Sequence, residues 1–447
     1  MLGQIEAQKL CQKVLARCGS DPAEVVVMAQ DSALTRFANN IIHQNVAETN
    51  ALITVRYHIG KRVGSVTTNR MDNAALDELV EQARQNASAS PEDPNDLDLP
   101  EPAAYTPVPC FDENTAEMEP AERAKAVGIV CRLATEKKLN ASGAFSTGAE
   151  EVVVANSRGV FAYHAASTAD FQTVVMGSDS SGRAHLSNWR AADLPVEALG
   201  SAAIEKADRG RAPRKIEPGE YTIILDPSAT QDLVDMLNFY GMGAQAVLEG
   251  RSWMNSRMGQ KAMSETVNIW DDGNDLRGAP IPFDFEGVPK QRVDIVKDGV
   301  VMGPVYDRYV GQKMGKASTG HAMPPDFRNM GPLALNLFMA GGDSSVEEMI
   351  RSTEKGLYIT RFWYTRLVHP TDCVVTGMTR DGVFMVENGQ IAYPVKNLRF
   401  TQSYVEALAH VEAIGRETHL FVSEYGGIST RVPAIKLAKF NFTGSTV

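Results

Sequence analysis

Residues 221–250 read YTIILDPSATQDLVDMLNFYGMGAQAVLEG. The apolar run 221–225 has the length and composition of a short strand. Asp226-Pro227-Ser228 then starts a helix, because an aspartate oxygen can accept from the free amides of a first turn and a proline there loses no hydrogen bond. Leu233, Met236, Leu237 and Tyr240 follow at helical spacing. Gly241 and Gly243 interrupt this pattern. A glycine inside a helix costs about 1 kcal/mol relative to alanine. Either the helix ends near Tyr240, or another backbone packs closely at that point.

Working outward, the chain of 447 residues predicts two to four domains, and 43% apolar residues suffices for real cores. A formal net charge of −11 argues against a nucleic-acid partner, which would call for a basic face. No run approaches the ~18 apolar residues of a membrane span; the longest apolar stretch, 333–340, is broken by Asn336. The N-terminus has no basic-then-apolar signal pattern, so a cytoplasmic location is expected. Cysteines at 11, 18, 110, 131 and 373 form no Cys-x-x-Cys and suggest no disulfide framework. Cys11 and Cys18 share a face of the first helix and read as small core residues.

The fold class expected is α+β: two small α/β units followed by a β-rich, barrel-like C-terminal domain. The boundaries are residues 1–90, 110–208 and 218–447. In the first unit, an amphipathic helix over 4–18 buries Ala7, Leu10, Cys11, Val14, Leu15 and Cys18, and strands are expected over 24–29, 51–58 and 62–67. Asp72 caps a second helix. Residues 86–109 carry six prolines among acidic side chains and read as an extended, solvated linker. In the second unit, helices over 120–138 and 195–206 flank two hairpins, 150–165 and 170–188. The order strand, glycine turn, strand, helix in 49–83 reappears in 168–207, a weak internal repeat. In the third, Lys297-Asp298-Gly299 and Asn388-Gly389 mark hairpins. Overlapping capping boxes at Ser344–Glu347 and Ser345–Glu348 start a helix that Lys355-Gly356 ends.

Several segments together resemble the TldD/PmbA (TldD/TldE) family of peptidases. They are the 221–250 helix closing in Leu248-Glu249-Gly250, the stretch from Phe285-Glu286-Gly287-Val288-Pro289 to Val305-Tyr306-Asp307-Arg308-Tyr309, the late hairpin 377–395, and Thr35–Asn40 with Gly60–Gly64 near the N-terminus. In the TldD-type subunit the helix carries His-Glu-x-x-x-His before the Leu-Glu-Gly. Here the two histidine positions are Gly241 and Ala246 and the glutamate position is Met242. None can ligate zinc or act as a base. The third zinc ligand of that subunit, a cysteine near its C-terminus, has no counterpart, since no cysteine follows Cys373. The resemblance is therefore to the TldE/PmbA type, and it implies a chain with no metal of its own and no activity alone. The implied partner is a TldD-type zinc subunit, giving a heterodimeric metallopeptidase that acts in proteolysis of unfolded peptides, as in leader-peptide removal in peptide maturation and antitoxin degradation; the family also carries an older label, modulator of DNA gyrase.

Two alternatives stand beside this reading: an independent hydrolase with a different site, and a homodimeric regulatory protein without peptidase activity. Neither has a motif. The eight histidines lie at least nine residues apart, so none has a helical i, i+4 partner. His369 precedes Cys373 by four residues, but Pro370 disfavours a helix between them. Gly311-x-x-x-Gly315-Lys316 is one residue short of a phosphate loop and is followed by Ala317. The stretch Arg361–Arg366 is the candidate binding surface: strand alternation predicts Arg361, Trp363 and Thr365 on one face and Phe362, Tyr364 and Arg366 on the other. With Arg380 of the late hairpin, Arg361, Trp363, Tyr364 and Arg366 are the expected substrate or interface residues, because Arg, Trp and Tyr dominate binding energy at interfaces.

Overall fold

The computed structural model describes residues 1–423 and 427–445. The chain begins with α1 (Gln4–Cys18), β1 (Ala23–Ala38), β2 (Ile41–Ile59), β3 (Arg62–Thr68) and α2 (Asn73–Ala89). It continues through α3 (Glu113–Ala116), α4 (Pro120–Glu136), β4 (Asn140–Asn156), β5 (Phe161–Met176), β6 (Ser181–Asn188) and α5 (Val196–Arg209). Residues 1–90 and 110–208 each give three strands to one antiparallel sheet, in the order β3-β2-β1-β4-β5-β6. The strands are much longer than the local pattern indicates. The two hairpins expected over 150–188 are a single meander, because 160–165 and 170–176 belong to one strand. The small residues Ala165–Ala169 between them carry little strand preference alone, but they pair with β4 on one side and, from Ala169 on, with β6 on the other.

The internal repeat has a physical counterpart. β3-β2-β1 and β4-β5-β6 meet along β1 and β4, and each half closes with a helix packed on its outer strand. A Cβ on Gly64 of β3 would lie 2.2 Å from both the Ala83 carbonyl oxygen and the Ala87 nitrogen of α2. On Gly182 of β6 it would lie 2.1 Å from the Ala203 oxygen and 2.7 Å from the Ala207 nitrogen of α5. Both halves thus use a strand glycine to bring a helix backbone into contact. The expected linker is helical to Ala89, where α2 ends, and irregular beyond it, and it is not solvated throughout: Asp96 and Leu99 are buried, and the Tyr105 hydroxyl both donates to and accepts from the Tyr163 backbone at 3.0 Å.

The remaining elements are β7 (Gly219–Leu225), α6 (Pro227–Leu237), α7 (Ala244–Leu248), β8 (Ile269–Asp271), β9 (Val293–Lys297), β10 (Val300–Val301), α8 (Arg308–Lys313), β11 (Asn336–Met339) and α9 (Val346–Arg351). After them come β12 (Lys355–His369), β13 (Val374–Glu387), β14 (Gln390–Pro394), β15 (Leu398–Ser403), α10 (Tyr404–Ala409), β16 (Val411–Val422) and β17 (Ser429–Ser445). β17 pairs with β15 and, elsewhere along its length, with β7, so β17-β15-β13-β12-β7 is a closed ring. Phe362, Phe400 and Phe440, from three strands of that ring, meet with centroids 4.6–5.5 Å apart and fill its interior. The barrel-like, α+β reading is what the structure shows. Asn388-Gly389 and Asp298-Gly299 both place two successive residues at positive φ, the conformation of tight hairpin turns. α9 has the full capping box at Ser345 and Glu348 but stops at Arg351. Lys355-Gly356 opens β12 instead of ending the helix, because Gly356 is drawn into parallel pairing with Thr222 of β7.

The sheet and the barrel domain are pinned together by Arg328, which donates to Glu24 of β1 at 2.8 Å and to Glu286 at 2.5 Å.

Substituting Gly64→Ala or Gly182→Ala forces a helix off the sheet and is expected to cost about 1–3 kcal/mol. Gly128→Ala, inside α4 with no atom within 4 Å of the new methyl, should instead add up to about 1 kcal/mol. Urea unfolding of the three variants checks both signs.

Candidate functional site

The helix that decides the reading of the sequence starts as expected. Asp226 caps α6, and its carboxylate also accepts from Lys206 Nζ of α5 and the Tyr358 hydroxyl, each at 2.9 Å. The α-helix ends at Leu237. Asn238–Met242 then form one π-helical turn, Gly243 is extended, and α7 resumes at Ala244. Both alternatives for the glycines hold. The regular helix ends before Gly241, and Gly243 packs on backbone, with a Cβ there only 2.0 Å from the Pro332 carbonyl oxygen.

Gly241 has a different neighbour. The indole of Trp253 is fully buried against it, and a Cβ on Gly241 would lie 2.1 Å from Trp253 Cδ1 and 2.2 Å from Nε1. The indole is fixed by its N–H, which donates to the Leu237 carbonyl at 2.9 Å, and the Ser252 hydroxyl donates to the Gly241 carbonyl at 2.7 Å. Met242 and Ala246 are buried. The residues at the three motif positions therefore offer no donor to a metal, and the space that a side chain at 241 would need holds an indole. A metal does not fit this helix. Among the described residues, no group of three or more His, Cys, Asp or Glu is arranged to hold a metal ion.

Two carboxylates on the same helix escaped the sequence reading. Asp232 accepts from the Thr365 hydroxyl at 2.8 Å and the Tyr404 hydroxyl at 2.7 Å. Asp235 accepts from Thr430 at 2.6 Å and Gln231 Nε2 at 3.0 Å. Burial pushes their carboxyls up, to about 6 and about 7. They tie α6 to β12, α10 and β17. Their signal in the sequence is faint: two acids three residues apart on an otherwise apolar helix. The Cys373 thiol is pushed up to about 12 by burial, so it is not a thiolate at neutral pH, and His369 pairs with Asp372 at 3.3 Å.

The structure brings the candidate surface residues together at the β12–β13 hairpin. Trp363, 40% exposed, has the guanidinium groups of both Arg361, at 4.5 Å, and Arg380, at 5.1 Å, over its ring. Arg366 covers Tyr364 at 4.5 Å. Arg361 also pairs with Asp381 at 2.9 Å. The strict alternation expected for 361–366 fails at a bulge. Tyr364 takes a left-handed φ of 54° and is 67% exposed, and the following Thr365 turns inward to Asp232. A left-handed bulky residue costs backbone strain.

The model of the PmbA/TldA metallopeptidase C-terminal domain matches residues 218–444, and that of PmbA/TldA metallopeptidase domain 1 matches residues 23–87. The chain therefore belongs to the TldD/PmbA family. Similar proteins include Metalloprotease PmbA of Escherichia coli O157:H7, 25% identical over 98% of each chain. A metalloprotease of Methanothermobacter thermautotrophicus is 25% identical over 53% of this chain, and the match spans about half, 52%, of that relative. TldE from Thermococcus kodakarensis superposes with a TM-score of 0.85 at 20% identity, covering 97% of this chain and all of that one. A proposed modulator of DNA gyrase from Thermotoga maritima also gives 0.85, at 17% identity over 98% of this chain and all of its own.

Two outcomes follow from this geometry. Gly241→His combined with Ala246→His should show no zinc-dependent peptide cleavage and a lower melting temperature, because the new imidazole displaces Trp253 from a filled core. The second concerns Asp235, whose folded value lies above the ordinary aspartate value of 3.8. The native state then holds the extra proton between about pH 4 and 7, so this group's contribution to stability falls as pH rises through that window. Asp235→Asn should raise the melting temperature relative to wild type at about pH 8 and leave it nearly unchanged at about pH 4.

Proposed function

We propose that this chain is the non-catalytic, TldE/PmbA-like subunit of a two-chain zinc metallopeptidase that acts on unfolded peptides in the cytoplasm, as in leader-peptide removal or antitoxin degradation. The observation that carries the reading is the indole of Trp253 standing where a side chain at position 241 would be, with Met242 and Ala246 buried beside it. A helix whose metal-binding positions are filled by core packing is a structural wall. The zinc and the base come from a TldD-type partner; this chain contributes its domains 1–90, 110–208 and 218–447 to a shared enclosure that admits only unfolded chain. An exposed sheet edge would bind such a substrate through its main chain, tolerant of sequence. The hairpin carrying Arg361, Trp363, Tyr364, Arg366 and Arg380 is the surface for partner or peptide, since it joins exposed aromatic area to cations on an acidic protein.

Native mass spectrometry of the tagged chain isolated from its own host tests this. The expected result is a one-to-one complex with a second chain of ~50 kDa, a size taken from similar domain make-up, holding one zinc. A zinc-free homodimer or a monomer overturns the peptidase-subunit reading and favours a regulatory protein acting without proteolysis.

A further inference from the structure

The six-stranded sheet turns one face toward the barrel domain, and between them lies a cavity of about 580 Å³. That size is within the roughly 300–1,000 Å³ of small-ligand sites. Its floor is ordered by strand register. One row across β2, β1, β4 and β5 is Leu52, Met28, Val152 and His164; the next is Asn50, Gln30, Glu150 and Ala166. An apolar row and a polar row thus run side by side, one pleat apart. The roof is largely apolar, with Ile281, Phe285, Phe327 and Leu420.

Among the described residues the lining holds four carboxylates and no lysine or arginine. Two carboxylates are already satisfied. Glu151 accepts from the backbone of Leu2 and Gly3 and from the Tyr163 hydroxyl, each at 2.7 Å. Asp170 accepts from His185 at 2.7 Å and Ser187 at 2.6 Å. Asp326 sits on the exposed rim. Glu150 stands in the middle of the floor on a central strand, with a single long hydrogen bond of 3.4 Å from Gln30 Nε2 and no ion pair among the described residues. Its neighbour across β5 is Ala166, which leaves the space above the carboxylate open. Glu150 is itself exposed, facing the open space of the cavity, and the protein atoms around it push its carboxyl above its usual range.

We infer that this cavity is a subsite for an extended peptide segment carrying a lysine beside apolar side chains, with the ammonium group on Glu150 and the apolar side chains on the Met28–Leu52–Val152 row. Charge complementarity selects the occupant: an acidic slot with an apolar row beside its polar one, and among the described residues no lysine or arginine, is completed by a cation from the ligand. The inference rests on the proposed function only in taking a peptide as the ligand, and it concerns this chain without its partner.

Fluorescence anisotropy of the full chain with two labelled, end-capped, unstructured peptides decides it. One has a lysine between two leucines; its twin has norleucine in place of the lysine. Wild type should bind the lysine peptide about tenfold more tightly, the range of a charge-assisted hydrogen bond. Glu150→Gln, which keeps size and hydrogen bonding, should abolish that difference and leave the norleucine peptide unchanged. Ala166→Leu, which fills the space over Glu150, should weaken both. Equal binding of the two peptides by wild type, no binding of either, or an unaltered preference in Glu150→Gln overturns the inference. Because no zinc, cleavage or partner enters the readout, its failure is distinct from failure to find a companion subunit.

Discussion

The barrel domain depends on β17. This one strand is hydrogen-bonded to β11, β16, β7 and β15 at successive positions along its length. Its pairing with both β15 and β7 closes the ring, and closure removes two sheet edges that would otherwise present unpaired backbone. α6 leaves the end of β7 and lies against β12, β16 and β17, where Asp232 and Asp235 bind hydroxyls of the surrounding elements. The helix is therefore held from several directions before its last turn is reached. The π turn at 238–242 lies where the helix meets the packed indole of Trp253.

On the proposed reading of positions 241, 242 and 246 as emptied motif positions, the same region accounts for a stable fold without ligands there. A motif helix stripped of its ligands would leave a void, and a void lined by apolar atoms costs stability in proportion to its volume. Here glycine at 241 admits a tryptophan, and the indole N–H donates to the Leu237 carbonyl. The indole thus fills the interior and gives its own N–H a partner, although Asn238 Oδ1 in the same turn is buried without one.

The sheet shows the opposite economy. Its helix-covered face is packed tightly enough that Gly64 and Gly182 admit no methyl. The other face, toward the barrel, keeps an open cavity in which Glu150 has no ion pair among the described residues. Arg328 bridges Glu24 of the sheet and Glu286 of the barrel domain, and burying a charge without its partner would be strongly unfavourable. These two ion pairs join the layers together with His164 on the Pro280 carbonyl, Trp189 on the Leu276 carbonyl and the Val422 amide on Ser187.

Local chemistry was legible in the sequence: the caps at Asp72, Asp226 and Ser345, the tight turns at Asn388-Gly389 and Asp298-Gly299, the first helix face, and the absence of zinc ligands at Gly241, Met242 and Ala246. Each depends on residues within a few positions of one another, so residue type alone decides it. Strand length, the merging of two hairpins into one meander, the early end of α9 and the inward turn of Thr365 were not legible, because each is set by pairing with a strand distant in sequence. Trp253 as the occupant of the vacant site, and Glu150 as an acid in a slot with no ion pair among the described residues, belong to the same class. Nothing near Trp253 in the chain marks it as a plug, and nothing near Glu150 says that no cation will reach it. The sequence determined which groups were available; tertiary structure decided which of them meet, since contact across a sheet or a core is a property of register and packing rather than of neighbouring residues.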